Sequence, residues 1–339
     1  MRFMWPDSVD EILDGDQAVA LAYCTPASGV VIAPLTNFGI RDREAGTVTL
    51  NSSVGAWKKL ERMRRNPRVC VAFHTRRHGL CDRPEYVLIQ GRARLSDPIP
   101  DYPGTIAEHW ERFERWRDVH PLWKRWQRVY ALRVAIEVAA ERVVVWPDLA
   151  CRGEPEVHGA PLPPEPPAPQ RPPGRGTGPR LNHRRAAKRA ARLPAVLLGW
   201  VGADGLPVVV PVEARGTTEQ GMRLEAPEGA VPPGGRRAGL TAHWFAPRVI
   251  GQEQRVHTGW LEAGPTGSAP VYAPHTHAGY RFPASEPLYR LVSGGATRWR
   301  YRASMGRARA TASTGSPSRP WNLTSIRRIA RLYRGCSRR

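Results

Sequence analysis

Residues 48–73, VTLNSSVGAWKKLERMRRNPRVCVAF, decide how this chain is read. Val48 and Leu50, then Val69, Val71 and Phe73, alternate with period two, the pattern of strands with one buried face. Between them Ser52 and Ser53 stand where a helix would be capped. Trp57, Lys58, Lys59, Arg62, Arg64 and Arg65 follow, and Asn66-Pro67 ends the helix. The spacing predicts a strand, a hydroxyl-rich turn, a short basic helix and a second strand. Hydroxyls and open amide N–H groups at a helix start, with lysines one turn on, make an anion site.

Charge outside this stretch sharpens that reading. The 339 residues carry a net charge of +21, which at first suggests nucleic acid. Residues 171–192 hold seven Arg, one Lys and no acid, and residues 297–339 hold twelve Arg and no acid. Without those twenty residues, 31 basic face 30 acidic side chains, so the presumptive folded parts are near neutral. Nucleic acid is therefore not an expected partner of the folded parts. The five cysteines are scattered without metal or redox spacing, which suggests an intracellular, cytoplasmic chain with free thiols. No apolar run is long enough for a membrane span. No Gly-x-Ser-x-Gly, Walker loop or His-Glu-x-x-His appears, so hydrolase and triphosphatase readings have no support.

Four segments are expected: a first domain over 1–150, a Pro/Gly/Arg-rich linker over 151–181, a second domain over 182–302 and a basic tail over 303–339, read as disordered. In the first domain, strands are expected at 19–24, 30–36, 47–51, 69–74 and 86–95. A helical stretch follows over about 106–128, broken near Pro121, with Trp110, Phe113, Trp116, Trp123 and Trp126 as packing residues. Several short strands around one helix suggest a small barrel.

The second domain repeats the order of the first. LAY at 21–23 matches LGW at 198–200, and Pro34 and Pro211 each stand thirteen residues after the opening leucine. VTL at 48–50 matches MRL at 222–224, VCVAFH at 69–74 matches GLTAHWF at 239–245, and Gly91 matches Gly259. This order implies an internal duplication. The copies part where the basic helix stands, because residues 225–239, EAPEGAVPPGGRRAG, are too rich in Gly and Pro to be helical. One anion site, in the first copy, is the expectation.

The strand pair ending at Pro34, the third strand into Asn51-Ser52-Ser53, WKKLERMRRNPR at 57–68 and EYVLIQGRARL at 85–95 together resemble the pyridoxamine 5′-phosphate oxidase-like superfamily of split-barrel flavin and deazaflavin oxidoreductases. The resemblance covers roughly 15–140 and, more loosely, 193–302. It implies a mainly β fold with α (α+β), two split β-barrels fused in one chain as an intramolecular pseudo-dimer, able to pair again as a homodimer. It further implies FMN, or alternatively the deazaflavin coenzyme F-420, and hydride transfer to a small-molecule substrate. By position, Ser52, Ser53, Lys58 or Lys59, and Arg62 would hold the cofactor phosphate beside Trp57, with Asn51 and Gln90 near the ring. Tyr86-Val-Leu-Ile-Gln90-Gly91 lacks the arginines of the true pyridoxamine phosphate oxidases, which argues against that substrate.

Plainer readings stand beside these. The basic helix is also what a solvated amphipathic face looks like, and Ser52 and Ser53 serve as caps either way. His275 and His277 read as turn histidines without metal partners, and His74 and His243 as structural, with haem ligation as the alternative drawn from split-barrel relatives. SIRRIARLYRGCSRR at 325–339 has the spacing of an amphipathic helix, with Ile326, Ile329, Leu332 and Tyr333 on one side. A non-catalytic protein that carries or senses flavin or haem is the rival to an oxidoreductase.

Overall fold

The computed structural model describes residues 4–112, 119–264 and 269–313, with side chains to residue 303. Two antiparallel sheets dominate it. The first is built from β1 (Ala18–Cys24), β2 (Val30–Thr36), β3 (Arg41–Asp42), β4 (Thr47–Ser53), β5 (Arg68–Phe73), β6 (Tyr86–Leu95), β7 (Arg133–Trp146) and β8 (Glu156–Gly159). The second holds β9 (Ala195–Val201), β10 (Pro207–Pro211), β11 (Glu213–Thr217), β12 (Met222–Glu225), β13 (Gly234–Phe245), β14 (Gln252–Ala263) and β15 (Val271–Phe282). Strand order is β2-β1-β5-β6-β7-β4-β3 in one and β10-β9-β13-β14-β15-β12-β11 in the other, the same path strand for strand, with β8 added on β7.

The registers agree as well. Leu21 faces Ala33 and Val71, and Leu198 faces Val210 and Leu240. Counting from those pairs puts His74 level with His243 and Gly91 level with Gly259. Both glycines sit at a bulge, between Gln90 and Gly91 in one sheet and Thr258 and Gly259 in the other. The cause is crowding: a Cβ on Gly91 would lie 2.0 Å from the Ala139 carbonyl oxygen, and one on Gly259 2.1 Å from that of Ala273.

The sheets pack face to face through small residues. Ala20, Ala22, Ile32, Cys70 and Ala72 of the first share a core with Leu197 and Val209 of the second. Polar bonds fix the pairing: the Tyr86 hydroxyl donates to the Val209 carbonyl (2.6 Å), and the Thr241 hydroxyl to that of Ile32 (2.8 Å).

Helices occupy the ends. They are α1 (Asp7–Gly15), α2 (Trp57–Arg65), α3 (Tyr102–Thr105), α4 (Ala107–Glu111), α5 (Pro121–Ala131), α6 (His183–Ala190) and α7 (Glu286–Ser313). Among the described residues, the expected helical stretch over 106–128 holds α4 and, from Pro121 at its first position, α5. Phe113 and Trp116 lie outside the described residues. Residues 226–233, level with α2, form no helix.

Several expectations need correction. β4 runs on through Ser53, so α2 takes Ala56 as its N-cap and neither serine caps it; the Ser53 hydroxyl instead accepts from the Gly55 N–H (3.2 Å). His275 and His277 lie within β15 and not in a turn. The Pro-rich stretch is no loose tether: it contributes β8, and Gln170 bonds both Gly235 and the Ser28 carbonyl. α7 runs through the first eleven residues of the segment read as a disordered tail, while 314–339 lie outside the described residues. No described helix is long and apolar enough to cross a membrane.

Candidate functional site

β4 ends beside the start of β7, with Ser53 paired opposite Arg133. Strand alternation turns Asn51 and Ser53 to one side and Ser52 to the other, and only Asn51 and Ser53 border the cavity that lies there. The turn after Ser53 is tight because α7 crosses it: a Cβ on Gly55 would lie 2.9 Å from the Cβ of Arg300. The cavity, about 130 Å³, lies between the sheets, with Asn51, Ser53 and Arg133 from the first and Gln252 and Tyr280 from the second, under Arg300 of α7.

α2 buries Lys59, Leu60 and Met63. Lys59 is the informative one. Burial, then the nearby charges of Arg133 and Arg300, push its ammonium down to about 7. No acid among the described residues pairs with it. The Arg133 guanidinium lies 4.1 Å over the Tyr130 ring, its Nε buried without a partner, and that of Arg300 lies 5.0 Å from the Tyr280 ring centre. Lys59 thus lies close enough to Arg133 and Arg300, which border the cavity, to feel both charges, and a buried ammonium without a carboxylate gains when an anion comes near it. The Tyr280 hydroxyl donates to Gln252 Oε1 (3.0 Å), and burial pushes its pKa up to about 12, so it stays a hydrogen-bond donor.

The structure thus puts Asn51 and Ser53 on the cavity, leaves Lys59 buried on α2 near Arg133 and Arg300 without bordering it, and sends the other expected site residues elsewhere. Ser52 is buried on the far side of β4. Trp57 packs on the first sheet's core, Lys58 is exposed, and Arg62 reaches the Tyr23 hydroxyl of β1. Gln90 lies in the seam between the sheets, where its amide donates to the Pro207 carbonyl (2.6 Å) and accepts from Arg142 Nε (2.6 Å). Arg142 also pairs with Asp204. Gln90 does not border the cavity. Arg133, Arg300, Gln252 and Tyr280 are the site residues the sequence reading missed. Arg133 had one legible signal: it is a cation at the start of a strand whose next three residues, Val134 to Ile136, are apolar.

The matching corner of the second sheet differs. Register places Glu225 level with Asn51 and Pro227 level with Ser53, and both border a larger cavity of about 930 Å³ with Glu213 and Glu228. Acids and a proline replace the amide and hydroxyl, so this corner does not favour a phosphate.

His74 and His243 meet where the sheets join. His74 Nδ1 donates to the Ala72 carbonyl (3.1 Å), which leaves its Nε2 to accept from His243 Nε2 (2.7 Å). Burial lowers His74 to about 4, and burial then His74 lower His243 well below the usual histidine value, so both are neutral. The two Nε2 atoms are thus bonded to each other, while His243 Nδ1 is buried without a partner. Among the described residues no group of three or more His, Cys, Asp or Glu is placed to hold a metal.

No protein-family model matches this chain, and no curated protein does. Solved structures with some likeness include the conserved hypothetical protein Rv2991 from Mycobacterium tuberculosis (18% identity, 44% of this chain and 88% of that one, TM-score 0.32). A putative pyridoxamine 5′-phosphate oxidase from Listeria innocua is 20% identical over 41% of this chain and 95% of its own, with a TM-score of 0.29. An FAD-binding protein from Mesorhizobium loti is 23% identical over 42% and 95%, with a TM-score of 0.27. Each likeness spans less than half of this chain.

Proposed function

We propose that this protein is an oxidoreductase that binds one phosphate-bearing flavin, FMN or the deazaflavin, at the seam between two sheets derived by internal duplication. The observation that carries the reading is buried Lys59, which no described acid pairs with, within electrostatic reach of Arg133 and Arg300, the cations that border the cavity with Asn51 and Ser53. The residue pattern of 48–95 points the same way. A phosphate suits the cations and hydroxyl in charge and size. The ring is a tighter case, because Tyr280, Tyr289 and Arg300 close the cavity at about 130 Å³, so a tricyclic ring enters only if α7 withdraws.

When bound, the flavin or deazaflavin would supply hydride transfer, and the chain's own residues position and insulate it. Lys59, Arg133 and Arg300 would hold the phosphate as point and forked donors. Asn51 and the Tyr280 hydroxyl offer polar contacts beyond it, and Phe38, Trp110 and Phe282 exclude water.

The test is titration of the purified chain with FMN, the deazaflavin and inorganic phosphate, read by absorbance and fluorescence, then repeated with Lys59→Ala. Binding of one flavin per chain, competed by phosphate and lost in the variant, is expected. A chain that binds neither cofactor refutes the proposal. The second reading, a carrier or sensor, gains from the closed cavity; it predicts bound cofactor that passes no electrons from a nicotinamide donor.

A further inference from the structure

α7 has two unlike faces. One packs inward: Tyr289, Ser293 and Tyr301 are buried, Gln127 of α5 donates to the Ser293 hydroxyl, and the Trp126 indole N–H donates to the Leu291 carbonyl (3.2 Å). The other is bare and apolar. Leu288, Leu291, Val292 and Trp299 are 52%, 49%, 40% and 71% exposed. Their spacing, with Gly295 between them, puts them on one stripe of the helix. Leu122, 71% exposed, is the second residue of α5, the helix packed against α7. Exposed leucines scattered singly need no explanation, but a stripe along one helix does.

Charge identifies what covers it. α7 opens on Glu286, which pairs with buried Arg290, and from residue 291 to 339 the chain has twelve Arg and no Asp or Glu. A second copy docking on this stripe would bring two such segments together, and the chain's own remaining residues 314–339 carry the same sign. Nucleic acid would satisfy the arginines but leave the leucines and Trp299 in water. An anionic lipid surface answers both: apolar side chains enter the headgroup boundary, arginines meet lipid charge, and Trp suits that depth.

We propose that α7 docks flat on an anionic bilayer through the Leu288–Leu291–Val292–Trp299 stripe. The protein is then a peripheral one, held at a surface and not spanning it. This holds independently of the cofactor.

The test is co-sedimentation of the full chain with phosphatidylcholine vesicles, with and without phosphatidylglycerol, at physiological salt. Partition to the anionic vesicles is expected to exceed that to the neutral ones by roughly tenfold or more. Leu291→Glu and Trp299→Glu should each lower it at least several-fold, while Leu291→Met retains it. Both positions are exposed, and circular dichroism verifies the fold. Absence of partition overturns the proposal. So does partition that survives both glutamates and vanishes only on deleting 314–339, which would make it tail charge alone. A wild-type dimer that Leu291→Glu converts to monomer by light scattering would overturn it in favour of a second copy.

Discussion

Replacing Lys59 with methionine should strengthen the empty protein and weaken its anion binding at once. An ordinary lysine titrates at 10.5, and burial with two neighbouring arginines lowers Lys59 to about 7. At about 1.4 kcal/mol per pH unit, holding that ammonium charged in the fold costs roughly 5 kcal/mol below pH 7. Between pH 7 and 10.5 the unfolded chain keeps the proton that the folded chain releases. Folded stability therefore rises with pH across that window, by up to about 1.4 kcal/mol per unit. Methionine preserves the stem and removes the charge, so at pH 6 it should stabilise the ligand-free protein by roughly 2–5 kcal/mol. The same change should weaken phosphate or FMN binding by roughly 10–100-fold, since a charge-assisted contact is worth about 1.5–3 kcal/mol. In the wild type, an arriving anion returns the proton to Lys59, so affinity should fall as pH rises above 7. Urea melts at pH 6 and calorimetry in buffers of different ionisation enthalpy read both effects. If the variant is several kcal/mol less stable without ligand, or wild-type affinity is flat from pH 6 to 9, the anion-site reasoning is wrong.

Acid should loosen the join at His74 and His243: both sit neutral in the fold, with His74 at about 4, while unfolded histidines titrate near 6.5. The unfolded chain takes up protons first as pH falls from 6.5 toward 4, so stability drops by about 1.4 kcal/mol per unit for each, and the His74→Leu/His243→Leu pair should flatten that slope. Buried Asp16, raised to about 7 by desolvation despite Arg76, acts in the opposite sense, so the comparison of slopes between variant and wild type is the measurement. Gln90→Leu should cost about 1–3 kcal/mol in urea melts by stripping partners from Arg142 and the Pro207 carbonyl, with cofactor affinity unchanged. Gly91→Ala and Gly259→Ala should each cost roughly 2 kcal/mol or more, because the added Cβ meets a strand carbonyl that no rotamer can move.

Much of the fold was legible because its signals are local. Period-two runs mark β1, β2, β4, β5 and β6 to within a residue or two at each end, and matched leucines, prolines and glycines pair the two regions in sequence alone. β15 escaped because His275-Thr-His277 has polar side chains on both faces, as suits the exposed part of that strand. The site was legible only where one element writes it. Asn51, Ser53 and Lys59 fall within nine residues, so one local pattern can mark them. Arg133 pairs with Ser53 from eighty residues further along, and Arg300 crosses Gly55 from farther still, contacts that no local pattern encodes. Gln90 was placed near the ring by position alone, but the face it occupies belongs to the contact between sheets.

A symmetric dimer must write every residue twice, once on each side of its axis. This chain follows the same strand path twice within one molecule and is free of that rule. Lys59 can be buried at one corner while Glu225 and Pro227 hold the other, with no compromise residue required to serve both. The fused arrangement therefore allows two corners of common geometry to diverge in charge and task, each open to selection without altering its twin.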